Sequence, residues 1–99
     1  MQDRNKPLSW QDEDAYWRSS FSSRPYTSSS PDYDVWQGGY RYGYDAAHRY
    51  KGREWSDVEP ELSRGWTSYE HRSESTWEHI KSAVRDAWDR ATRHSMVTK

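Results

Sequence analysis

The chain is 99 residues long, carries 15 basic and 16 acidic side chains, and contains no cysteine. That excludes disulfides, thiolate metal sites and cysteine nucleophiles, and the even charge argues against a dedicated nucleic-acid binder, whose affinity comes from phosphate neutralisation. Two Leu, four Val, one Ile and one Phe are too few for an ordinary aliphatic core, so the seven Trp and eight Tyr must supply it.

No run is apolar enough for a signal peptide or membrane span, which leaves a cytoplasmic protein as the expectation. So thin an aliphatic complement points to a marginal monomer, and hence to a homo-oligomer or a protein partner.

Residues 1–8 are polar and end near Pro7, which reads as a loose tail. Ser9 with Asp12 has the spacing of a capping box, and Glu13 and Asp14 follow where the helix dipole favours acids. A short helix over about 10–20 places Trp10, Trp17 and Phe21 near one face. Residues 22–31, SSRPYTSSSP, read as a solvated linker or as a segment laid across another surface.

Ser30-Pro31 supplies an N-cap and a first-turn proline for a helix over about 32–48, with Tyr33, Trp36, Tyr40, Tyr44 and Ala47 inward. Gly38, Gly39 and Gly43 weaken that helix unless close packing uses them. Lys51-Gly52 ends it. Ser56 to Glu59 forms a second capping box for a helix over about 57–70, lined by Val58, Leu62, Trp66 and Tyr69, with Pro60 in or near its first turn. Ser75 with Glu78 makes a third, opening a helix over about 76–94 whose buried stripe is Trp77, Ile80, Val84, Ala87, Trp88 and Ala91. Glu78/Lys81, Asp86/Arg90 and Asp89/Arg93 have the spacing of outward-facing ion pairs.

An aromatic recurs every eleven residues at Tyr33, Tyr44, Trp55, Trp66, Trp77 and Trp88. Gly52, Pro60 and Gly65 forbid one continuous helix, so the better description is a period of twenty-two. The segments beginning at Tyr33, Trp55 and Trp77 each repeat apolar residues at offsets three and seven; chance alignment of so many rings is the alternative. The expected architecture is all-α: three main helices, a short N-terminal one and an aromatic-rich core. Residues 1–31 form a tail, short helix and linker, 32–94 the helical domain, and 95–99 a frayed tail.

YRYGY (40–44), GREWSDVEPELSRGW (52–66) and TWEHIKSAVRDAWDR (76–90) resemble a family of small bacterial proteins found alone or as tails on general-stress proteins. The resemblance implies a helical fold and a stress setting and gives no residue a role.

Candidate chemistry is sparse. Asp45 and His48 have one acid-x-x-His spacing, and His71 lies near Glu70, Glu74 and Glu78, well short of a diiron ligand set. There is no nucleophile elbow and no phosphate loop. The expectation is a protein that is not an enzyme and takes no metal or cofactor. Trp10, Trp17, Phe21 and Tyr26 are candidate anchors onto the helical body or a partner. Arg41, Tyr42, Arg49, Tyr50 and Arg53 form the candidate partner-binding patch, with ordinary half-core, half-surface helix as the bland alternative. Single-stranded nucleic-acid binding through 40–53, and a desiccation-protective polypeptide ordered only on drying, are the competing functions.

Overall fold

The computed structural model describes residues 9–30, 32–69 and 75–97, except for the side chains of Ser29 and of 93–97. Four α-helices follow in order: α1 Trp10–Ser20, α2 Tyr33–Arg49, α3 Trp55–Trp66 and α4 Trp77–Val97. No strand occurs among the described residues, and none of their helices is long and apolar enough to cross a membrane.

α1 starts as its sequence dictates. Ser9 Oγ accepts from Asp12 N at 3.2 Å, and the Asp12 carboxylate accepts from Ser9 N. At its far end Ser19 and Ser20 turn their hydroxyls onto the Ala15 and Tyr16 carbonyls, and the chain tightens into two 3-10 turns, Phe21–Ser23 and Pro25–Ser29. Buried Thr27 joins these turns, its hydroxyl 2.8 Å from both the Phe21 and the Arg24 carbonyl. The described part of 22–31 is therefore laid across the helical body instead of forming a solvated linker.

The three main helices begin at Tyr33, Trp55 and Trp77, one every twenty-two residues. In each, the residues at offsets three and seven are buried: Trp36 and Tyr40, Val58 and Leu62, Ile80 and Val84. The caps differ from expectation. Asp32, not Ser30, caps α2 by accepting from Asp34 N, because the helix starts at Tyr33 and so puts Asp32 at the N-cap. α3 is preceded by Glu54 without a side-chain cap, so Ser56 and Glu59 form no box, and Pro60 sits inside the helix. At α4, Thr76 Oγ1 takes the His79 amide, one residue along from the expected Ser75–Glu78 spacing. α3 closes at Trp66, four residues early, through a turn at Thr67-Ser68. α4 in contrast runs on to Val97.

α2 and α4 form the principal pair, with α1 against α2 and α3 against α4. Glycines set how closely the pair approaches: a Cβ at Gly43 would lie 2.1 Å from the Val84 carbonyl oxygen, and one at Gly39 would meet Ile80. Around that crossing lie Trp17, Trp36, Tyr40, Ile80, Ala83, Val84 and Ala87, all fully buried. Gly52, at φ +85°, makes the left-handed turn that follows α2.

Candidate functional site

α1 docks through one stacked ring pair and two acids. The Trp17 indole lies flat on Tyr40, centroids 4.3 Å apart and planes 8° from parallel. Glu13, four residues earlier and so on the same face, is 1% exposed, and both its oxygens accept from Arg90 Nε at 3.1 Å. The Arg90 guanidinium also covers the Tyr16 ring at 3.6 Å, which shields the pair from water. Asp14 accepts from the Tyr33 hydroxyl at 2.7 Å and from Gln37 at 3.0 Å, with Arg18 beside it. Burial alone raises the Asp14 carboxyl, but these hydrogen bonds and the Arg18 charge outweigh it and hold the group below the usual carboxylate range.

The second 3-10 turn brings Tyr26 over the face of α4. Its hydroxyl donates to Asp86 Oδ2 and lies 3.1 Å from the Tyr40 hydroxyl. Because the Tyr26 proton is committed to the carboxylate, Tyr40 is the donor between the two phenols. Arg24 Nε stands 3.6 Å from the same carboxylate. Burial, then the hydrogen bond to Asp86, pushes the Tyr26 phenol far above its ordinary range, and burial raises Tyr40 to about 12. These groups border an open depression of about 430 Å³ whose wall includes Arg24, Tyr26, Ser82, Arg85, Asp86 and Asp89. The expected Asp86/Arg90 pair does not form, because each finds a partner from the N-terminal segment. Asp89 pairs with Arg85 at 3.7 Å; the Arg93 side chain lies outside the described residues. Glu78 and Lys81 do pair, at 3.7 Å.

Of the anchors, Trp17 is fully buried, and Trp10, Phe21 and Tyr26 are half-buried on Tyr44, Tyr33 and Trp36 respectively. All four dock onto the helical body. The 41–53 patch is divided. Tyr42 belongs to the core: it is 9% exposed, its hydroxyl donates to the Leu62 carbonyl at 2.8 Å, and Trp66, Tyr69 and Trp77 surround it. Arg41 covers Trp10, its Nε buried and without a hydrogen-bond partner among the described residues. Arg49, Tyr50 and Arg53 come together where α2 turns toward α3, with guanidinium groups 5.9 and 5.2 Å from the half-buried Tyr50 ring. Arg53 also reaches Glu61 at 3.5 Å.

Asp45 accepts from Tyr69, and the His48 ring bonds the Tyr44 carbonyl. No group of three His or acidic side chains fit to hold a metal occurs among the described residues, and Glu70, His71 and Glu74 lie outside them. Sequence reasoning missed Glu13, Asp14, Arg24 and Asp86 as tertiary partners. The one available signal was that Glu13 shares a helix face with Trp17. A helical, aromatic-cored body clasped by its own N-terminal segment is thus the class that fold and site define. No family model matches the chain, and no curated protein or solved structure is similar to it.

Proposed function

We propose that this is a small non-enzymatic helical protein that acts by associating with another protein or with itself, in the bacterial stress setting that the resemblance implies. The observation that carries the reading is the corner at Arg49, Tyr50 and Arg53. A half-buried phenol with two exposed guanidinium groups 5.9 and 5.2 Å from its ring is an amphipathic contact of the residue types that dominate protein interfaces. Stacking on nucleic-acid bases has less support, since Tyr40 and Tyr42 of the same stretch are buried in the core.

The test pairs sedimentation over a wide concentration range with affinity capture from a stressed bacterial extract, for the wild type and an Arg49→Ala/Arg53→Ala variant. Self-association or a specific captured protein, lost in the double variant at unchanged helicity, is the expected result. A wild type that stays monomeric and captures the same proteins as the variant contradicts the proposal.

A further inference from the structure

The described aromatics form a connected set that leads, at Tyr26, to a phenol whose carboxylate partner lines an open depression, which the carboxylates of the Tyr33–Asp14 and Tyr69–Asp45 pairs do not. Trp17 and Trp36 are both 0% exposed. Trp17 stacks on Tyr40, the Tyr40 hydroxyl bonds that of Tyr26, and the Tyr26 ring lies 5.4 Å from Trp36. At the end of this path the Tyr26 hydroxyl bonds a carboxylate that faces an open depression.

We propose that Tyr26 and Asp86 form a proton-coupled redox site, which draws one-electron oxidising equivalents out of the buried indoles and presents them at the surface to a soluble reductant.

Proton inventory decides where an oxidised ring comes to rest. An indole that loses an electron becomes an acid of about carboxylic strength, and giving up its Nε1 proton to a base lowers its oxidising power. Trp17 Nε1 has no hydrogen-bond partner among the described residues, and Trp36 Nε1 faces the Ser30 carbonyl, a very weak base. Tyr26 has what they lack. Its electron passes through Tyr40 or Trp36 to the indole radical cation while its phenolic proton moves to Asp86 Oδ2. The products are an intact indole, a neutral tyrosyl radical at Tyr26 and a protonated Asp86. Burial keeps the phenol protonated throughout the physiological range, so the proton is always there to give.

The initial oxidant is a peroxyl radical or another one-electron oxidant of that strength, which leaves as the peroxide after taking a proton from water. The reductant is a thiol or an ascorbate-like enediol. It returns one electron to Tyr26 as Asp86 returns the proton, and the depression gives it access. Arg24, Arg85 and Asp89 line the same wall, and Arg24 Nε stands 3.6 Å from the Asp86 carboxylate that accepts the proton.

Tyr33 with Asp14 and Tyr69 with Asp45 are also phenol–carboxylate pairs and serve as internal controls. The experiment is pulse radiolysis of the whole chain with azide radicals, which oxidise indoles, followed by transient absorption and electron paramagnetic resonance. The wild type is expected to convert indole radical to tyrosyl radical, more slowly in D2O because the proton moves with the electron. Asp86→Asn should slow that conversion by at least ~100-fold, the usual worth of a positioned proton acceptor. Tyr26→Phe should abolish the fast phase, and Tyr33→Phe and Tyr69→Phe should leave it intact.

A wild-type rate unchanged in D2O overturns the proposal, and so does a tyrosyl yield that survives Tyr26→Phe. The isotope measurement needs no variant, so the test stands even if Asp86→Asn fails to fold.

Discussion

Replacing Gly43 by alanine sets two effects of opposite sign against each other. Inside a helix alanine is favoured over glycine by about 1 kcal/mol, so local propensity alone predicts a more stable protein. The crossing predicts the reverse. The new Cβ would lie 2.1 Å from the Val84 carbonyl oxygen and 3.0 Å from both Ala87 Cβ and Trp88 N, and two of those three atoms are backbone. α2 and α4 must part by roughly 1 Å to relieve this, which forfeits up to about half of the dispersion energy of the facing rows. Overpacking of this kind costs about 1–3 kcal/mol, and contact with main chain puts Gly43→Ala at or above the top of that range. A net loss of about 2 kcal/mol lowers the Tm of a domain this size by roughly 10 °C. Calorimetry of wild type and variant, with urea melts for the free energy, reads it directly. An unchanged or raised Tm would refute the close crossing.

The pair of buried Glu13 with half-buried Arg90 makes a second test. Glu13→Leu alone should cost about 1–2 kcal/mol, less than for a fully buried pair because the Arg90 side chain is 31% exposed, while Glu13→Leu with Arg90→Met should recover most of it in urea melts. If the double variant is no more stable than the single, the pair is not what Glu13 is buried for. Alkaline titration gives a third. Tyr40 and Tyr42 are both raised by burial from 10.0 to about 12, so the folded state holds protons that the unfolded state has released. Their contribution is complete below pH 10 and is lost as pH rises through 12, and circular dichroism should show the melting point falling across that window. A melting point flat to pH 12 would contradict the burial of these phenols. Gly52→Ala, with nothing within 4 Å of the new Cβ but φ at +85°, should cost about 1 kcal/mol from backbone strain alone.

The helix starts were legible because each is announced by a ring followed at three and seven by apolar residues, a pattern that needs only the helical period. Tyr42 shows where such reading stops. One stripe per helix assumes one neighbour, yet α2 takes α4 and α1 on one side and the Tyr42 contact with α3 on another, so a residue off the main stripe is buried too. The Asp86/Arg90 pair failed for a related reason. Asp86 and Arg90 satisfy a local i,i+4 rule worth a few tenths of a kcal/mol, and partners from α1 and the 3-10 turns displace that preference once the N-terminal segment lies across α4. Spacing along one helix carries no information about that crossing. Nor did Ser30 reveal that its carbonyl would serve the Trp36 indole while Asp32 took the cap.

The claim on which the rest depends is that the N-terminal segment belongs to the folded body through Trp17. Nuclear Overhauser spectroscopy of the labelled chain in dilute solution tests it directly. Strong cross-peaks between the Trp17 indole and Tyr40 ring protons, with slow exchange of the Trp17 indole proton, are the predicted result. A Trp17 indole that shows no contact with Tyr40 and exchanges as fast as a free peptide would contradict the account.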